Sequence, residues 1–317
     1  MKIIGTGKAM PSLSVTNNML SEILDTSDEW ISTRTGIRER RIMSDETLPQ
    51  LAVEACRNAI SDAGLTPKDM DFILCSNVIN NYVTPSLSCV IQGELGADCP
   101  AVDLNAACTG FIYALDIADA YISMGKAENI LIICAEEPTR MVDWKERNTC
   151  VLFGDGAAAA VVSKGDSLKS IRLTAQSKIE PLYYQRKMEF NPYVNHPDKD
   201  APLIMNGKDV FKLAVSSSVA DIKAVLEKAG LTENDIKYYI LHQANIRIID
   251  SIRDFLKQPK EKFPHNIENY GNTSSASIPI LLDEMSRNRQ LQKGDLIVLS
   301  AFGAGFTAGA CVLEWTK

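Results

Sequence analysis

The chain repeats itself. Residues 63–74 read AGLTPKDMDFIL and residues 229–241 read AGLTENDIKYYIL. Each stretch follows an amphipathic helical pattern: Leu51, Ala55, Ala59 and Ala63 in the first copy, Val215, Val219, Ile222 and Leu226 in the second. Each helix is expected to stop at a glycine, Gly64 or Gly230, the usual residue just beyond a helix C-terminus. An apolar strand then follows. A second echo pairs VLFGDGAAAAVV (151–162) with LSAFGAGFTAGACVL (299–313), and both read as strand, glycine turn, strand. Two echoes in the same order predict two copies of one mixed α/β unit, residues 1–165 and 166–317, each a sheet flanked by helices.

Chemistry-bearing residues sit where such units place their sites. Cys108 lies between a short apolar run, Val102 and Leu104, which reads as a buried strand, and a helical pattern of Phe111, Ala114, Leu115, Ala118 and Ile122. At a strand-to-helix turn, free amide N–H groups and the positive end of the helix would face the sulfur, an arrangement that lowers a thiol pKa. Free cysteine is also among the most buried residue types, so reactive and inert readings stand level on local sequence. Of three histidines, His196 and His265 lie in polar loops, whereas His242 closes the second copy's strand. The C-terminal end of a strand is where α/β folds put chemistry, although a satisfied structural histidine fits there too. Asn272, in Gly271-Asn272-Thr273-Ser274, precedes a helix, as either a cap or an N–H donor to a ligand oxygen. The turn Phe302-Gly303-Ala304-Gly305-Phe306 allows a backbone to approach a ligand closely.

Composition narrows the function classes. A net charge of −7 with no long run of one sign argues against nucleic acid as a main partner. The eight cysteines are scattered without a CxxC pair, which fits reduced residues of a cytoplasmic protein and neither a disulfide framework nor a zinc site. No His/Cys/Asp cluster has metal-ligand spacing, so no metal is expected. Met1-Lys2-Ile3-Ile4-Gly5 is too soon broken to read as a secretory signal, and no uncharged apolar stretch approaches membrane-spanning length.

Taken together, the motifs make the chain resemble the beta-ketoacyl-acyl-carrier-protein synthase III family of the thiolase superfamily, over nearly its whole length. The residues that carry the match are Asp25–Trp30, Arg34–Arg40, Ala106–Phe111, Phe153–Ala157, His242–Asn245, Gly271–Ser274 and the final glycine turn. The resemblance implies a thiolase-like duplicated five-layered α-β-α-β-α fold, a homodimer, and a Cys-His-Asn triad at Cys108, His242 and Asn272. It implies that Cys108 takes an acyl group from acyl-CoA. The acyl enzyme then condenses with malonyl-acyl carrier protein, with loss of carbon dioxide, to start fatty acid synthesis. Backbone N–H groups of Cys108 and Ala304 would form the oxyanion hole. Donors on His242 and Asn272 would hold the enolate, a term of about 3 kcal/mol per donor. No cofactor is implied, since acyl-CoA is a substrate.

Further roles follow position by position. Trp30 and Arg147 match residues that stack on the CoA adenine, Arg34 matches a phosphate contact, and Asn245 and Phe302 fall among substrate-binding positions. Lys212 and Arg247 match basic positions that meet the acidic carrier protein. Several residues depart from the pattern. Ala304 stands where many members have glycine, Ala308 where many have tryptophan, and Lys208 where some have an asparagine contacting the pantetheine arm. Asp254 and Phe255 replace a basic docking pair. Thr84 replaces a phenylalanine that, in acetyl-preferring members, closes the acyl pocket from the partner subunit; its small size predicts longer or branched primers. The segment 181–201 has no counterpart and reads as a cap over the site.

Three other readings share part of this pattern. A same-fold acyltransferase or ketosynthase of secondary metabolism shares the triad. A papain-like protease also orders Cys, His and Asn, but its Cys-Trp signature is absent here. A non-catalytic scaffold would not need all three residues.

Overall fold

In the computed structural model, residues 1–185, 193 and 201–317 are described. His196 and most of the 181–201 segment lie outside the described residues.

Two sheets carry the chain. In the first, strands Lys2–Ala9, Gly156–Ser163, Asn129–Glu136, Phe72–Ser76 and Ala101–Leu104 lie side by side in that order. In the second the order is Leu168–Lys178, Gly305–Glu314, Leu296–Gly303, Tyr238–Leu241. The first four strands of each sheet follow the same sense, antiparallel, antiparallel, then parallel. The repeat read from the sequence is therefore a repeat of topology, and the first sheet adds one parallel edge strand, Ala101–Leu104.

Helices make the other three layers. Gly110–Ser123 and Ser277–Arg287 fill the space between the sheets, where Phe111, Leu115, Ile280 and Leu282 meet Ile130, Ile132, Leu299 and Leu313. Leu48–Asp62 and Leu87–Leu95 cover the outer face of the first sheet. Gly207–Ala229 and Ile246–Leu256 cover that of the second. This is the five-layered α-β-α-β-α arrangement. Each fully buried Leu or Ile in these layers contributes roughly 1.5–3 kcal/mol.

Local chemistry sets the ends. Thr47 and Gln50 form a capping box at the start of Leu48–Asp62. Asn206 caps Gly207–Ala229, and Gly230 ends it in the left-handed region at φ 67°. Among the described residues no helix is long and apolar enough to cross a membrane.

Two local expectations need correction. Val102 is 44% exposed, because its strand forms the edge of the sheet with one neighbour only. The stretch before Gly154 is a loop: strand Asn129–Glu136 already pairs with Gly156–Ser163 up to Glu136 opposite Gly156. Phe153 makes only an isolated bridge to Asn272.

Candidate active site

The two middle-layer helices begin in the same way, and their beginnings meet. The short 3-10 turn Ala107–Thr109 leads into Gly110–Ser123, and Ser274–Ala276 leads into Ser277–Arg287. Cys108 therefore sits in the tight turn ahead of the helix, and the helix proper starts two residues later than the sequence pattern suggested. Ala107 at φ 48° and Ser274 at φ 52° are both held in the left-handed region. Such strain costs on the order of 1 kcal/mol per residue and persists only where the surroundings enforce it. Ser274 Oγ comes within 3.4 Å of Cys108 Sγ across this junction.

The final glycine turn closes on the same point. A Cβ added to Gly303 would stand 2.7 Å from the backbone N of Cys108, so only glycine allows the approach. Ala304 follows without a positive φ and lines, with Cys108, a cavity of about 380 Å³. Its apolar wall includes Met141, Phe153, Leu182 and Leu203.

Burial is the largest influence on the thiol. Burial pushes Cys108 up to about 12; the Ser274 hydroxyl works against this, and the nearby Glu136 carboxyl adds to it. Burial thus opposes the lowering expected at a helix start, because an enclosed thiolate loses hydration, while Cys108 itself keeps intermediate exposure on the cavity wall.

His242 follows strand Tyr238–Leu241 and is buried. Its backbone N–H donates to Ser300 O at 2.9 Å. Ser277 Oγ accepts from the Gln243 N–H at 3.2 Å and lies 2.7 Å from His242 Nδ1. With the Ser277 hydroxyl as donor to Nδ1, the ring proton sits on Nε2, the tautomer that turns an N–H away from Ser277. Burial lowers the His242 pKa to about 3, so the ring is neutral near pH 7. Phe302 meets it edge-on at 5.2 Å.

Asn272 is held by the glycine turn of the first half. Its N–H donates to Leu152 O at 2.8 Å, and its carbonyl accepts from the Gly154 N–H at 3.1 Å. A Cβ at Gly154 would fall 2.2 Å from Tyr270 O, so this bridge needs glycine. Asn272 Oδ1 accepts from the Ser274 N–H at 2.9 Å, which leaves Nδ2 as the donor end. The capping role left open above is realised as this turn, not as the cap of a helix. Asp155, next in the same motif, clamps Thr139 and the Met43 N–H. Arg40, also in a matched motif, is fully buried and bonds Val15 O, Asn17 and Val151 O, a structural role.

Of the candidate residues, Cys108 and Ala304 line this cavity, His242, Asn272 and Phe302 do not, and the remaining ones stand farther out. Arg34 and Arg147 stand over the Trp30 ring at 4.7 and 5.0 Å, and Arg147 also bonds Asp25. Lys208, Lys212 and Arg247 are exposed. Asn245 caps Ile246–Leu256 by accepting from the Arg247 N–H. Thr84 is exposed in the single chain and does not line the cavity. Phe255, 64% exposed, shares an apolar groove with Phe211 and Lys212.

Glu136 was missed. It ends the apolar strand Asn129–Glu136, is 1% exposed, and accepts from Ser275 Oγ at 2.5 Å and from the Val78 N–H at 3.2 Å. The available signal was a carboxylate closing an otherwise uncharged buried run, NILIICAE. Among the described residues no cluster of three or more metal-ligating side chains occurs.

The chain is similar to known proteins along nearly its whole length. The family model described as 3-oxoacyl-[acyl-carrier-protein] synthase III matches residues 102–178, and that for its C-terminal part matches 226–315. The chain is 44% identical to the beta-ketoacyl-[acyl-carrier-protein] synthase III of Aquifex aeolicus, over 99% of both chains. It is 42% identical to that of Clostridium acetobutylicum, over 100% of this chain and 99% of the relative. The Aquifex crystal structure superposes with a TM-score of 0.92, covering 99% of each chain. The synthase III structure from Thermus thermophilus, 38% identical, superposes at 0.93 with the same coverage.

Proposed function

The chain belongs to the beta-ketoacyl-[acyl-carrier-protein] synthase III family, and from that premise we propose how its residues carry out the condensation that initiates fatty acid synthesis. Full-length likeness to synthases of this kind is the observation that carries the reading.

The Cys108 sulfur attacks the thioester of an acyl-CoA primer and releases CoA; exchange of one thioester for another is nearly isoenergetic. The backbone N–H groups of Cys108 and Ala304 hold the tetrahedral oxyanion. Malonyl-acyl carrier protein then enters and loses carbon dioxide. The enolate that remains is held by His242 Nε2–H and Asn272 Nδ2–H and attacks the acyl-Cys108 carbonyl. The product is 3-oxoacyl-acyl carrier protein. A neutral histidine suits this step, since it donates a hydrogen bond without giving up a proton. The proposed chemistry uses side chains and backbone N–H groups, with acyl-CoA entering as a substrate and not as a cofactor.

Binding roles rest on the outer residues. Trp30 and Arg147 are to take the adenine of CoA, and Arg34 its phosphates. A centroid distance of 5.0 Å leaves no room for a third planar group, so Arg147 must swing off the ring to admit adenine. Asn245, Lys208 and Phe302 are to contact the pantetheine side. Lys212 and Arg247 offer positive charge to the acidic carrier, with Phe255 adding an apolar contact.

A homodimer completes the pocket. Edge strand Ala101–Leu104 with exposed Val102, and the nearby Tyr82 and Val83 at 58% and 72% exposure, form a surface that soluble proteins usually cover. Thr84 sits beside them and reaches a cavity only in a second copy. We place the enzyme in the cytoplasm, in keeping with its unpaired cysteines.

The test is mass spectrometry after incubation with acyl-CoA, then release of carbon dioxide from malonyl-acyl carrier protein. The expected result is an acyl adduct on the Cys108 peptide and gas release that depends on it. An adduct without condensation would mark a simple acyltransferase instead. Thr84→Phe is expected to lower the ratio of kcat/KM for hexanoyl-CoA over acetyl-CoA, because each methylene excluded forfeits about 0.8 kcal/mol. An unchanged ratio would mean that other residues set the pocket's depth.

A further inference from the structure

The thiol in this site lacks an evident acceptor for its proton. Cys108 is raised to about 12, and His242, at about 3, is a poor base. Among the described residues, the Glu136 carboxyl is linked to the thiol through one hydroxyl. Ser274 Oγ lies 3.4 Å from Cys108 Sγ and 3.2 Å from Glu136 Oε1. We propose that Cys108, Ser274 and Glu136 form a proton relay in which the Glu136 carboxylate, acting through the Ser274 hydroxyl, receives the thiol proton during acyl transfer and returns it when the product leaves.

The surroundings support this assignment. A hydroxyl carries one proton, so Ser274 can accept from the thiol only while donating elsewhere, and Glu136 Oε1 is the acceptor at hand. Ser274, held at φ 52°, places its hydroxyl within reach of both groups. Behind the carboxylate, Ser76 Oγ lies 2.9 Å from Ser275 Oγ, which lies 2.5 Å from Glu136 Oε1; the Val78 N–H bonds the other oxygen. These donors hold Glu136 in place and favour its ionised form. Burial opposes them and raises it to about 7. The titratable groups that face it are thiols: Cys75 on Phe72–Ser76, Cys134 on its own strand, and Cys108. Among the described residues no basic side chain hydrogen-bonds it. A carboxyl balanced near neutrality suits both directions of the transfer.

The proton count closes. Attack forms the Cys108 S–C bond and moves the thiol proton to Ser274, while the Ser274 proton passes to Glu136. The departing CoA thiolate takes a proton from solvent. In the second half-reaction the enolate carbon bonds the acyl carbon, and the S–C bond breaks towards sulfur. The Cys108 thiolate then recovers its proton from Glu136 by the same path. Per turnover one solvent proton is consumed, on CoA.

The relay rests on the role assigned to Cys108, so its test reads thiol reactivity without any substrate. Alkylation of Cys108 by iodoacetamide is followed by peptide mass spectrometry across pH, which separates it from the exposed Cys89. In the wild-type protein the rate is expected to rise as Glu136 ionises, with a midpoint near pH 7, and then level off. Glu136→Gln and Ser274→Ala should each remove that step and lower the rate at pH 8 by roughly 100-fold. Condensation assayed on the same samples separates the two readings, because a relay can fail in an enzyme that still condenses. Thermal melting shows whether each variant is folded. If Glu136→Gln fails to fold, Ser274→Ala decides, since it leaves the carboxylate in place. A folded variant that keeps the step near pH 7, with rates within about twofold of wild type, overturns the relay.

Discussion

Cys108→Ser is expected to abolish acyl transfer while leaving the fold intact. The substitution keeps the shape of the turn and exchanges a sulfur for a smaller oxygen, so stability should move by no more than about 1 kcal/mol. Reactivity changes far more. A hydroxyl is a weak nucleophile at neutral pH, and the site already disfavours a buried anion at this position. By the standard of nucleophile removal in other acyl-transfer enzymes, the loss should be on the order of 10⁴-fold or greater. Single-turnover transfer from radiolabelled acyl-CoA to protein measures it directly. Labelling of the serine variant at the wild-type rate would remove Cys108 from the mechanism.

The second large effect is expected for His242→Ala, and it should divide the two half-reactions. The proposed donor of His242 acts on the enolate oxygen formed when malonyl loses carbon dioxide. Losing one such donor costs about 10²–10³-fold. Acylation of Cys108 should fall by less than about tenfold, since the relay and the oxyanion hole remain. The variant also removes the hydrogen-bond partner of the Ser277 hydroxyl, which costs roughly 1–3 kcal/mol of stability. Because burial holds His242 near 3, it stays neutral above about pH 4 and adds no titration to decarboxylation between about pH 5 and 9. The measurement is release of labelled carbon dioxide beside acyl-enzyme formation. Equal losses in both would show that His242 serves the thiol and not the enolate. A histidine-dependent step near pH 6 would contradict its neutral state.

Much of the fold was legible because it is written twice. The AGLT repeats mark a helix C-terminus and a strand, and those signals are local: a glycine taking positive φ, an apolar face recurring every three to four residues. Cys108, His242 and Asn272 stood out as candidates for a related reason, and the family resemblance joined them as a triad. Each ends or begins an element, where backbone groups are unpaired and function is commonly placed. Val102 was misread, since an apolar residue in a strand cannot itself say whether its strand has a neighbour on both sides. The turn before Gly154 was misread because its partner is Asn272, more than a hundred residues away.

By itself the sequence determined the duplicated α/β architecture and the family, and it named three candidate catalytic positions, all from short-range pattern and motif. Only the tertiary structure decided the electrostatics. Whether Cys108 is acidified depends on how deeply its sulfur is buried. Which nitrogen of His242 carries the proton depends on Ser277, thirty-five residues downstream. Glu136 becomes part of the site only because the first half's strand end meets the second half's serine turn, 138 residues away in the chain. Ionisation is set by what surrounds a group from every direction, and no stretch of sequence contains those surroundings.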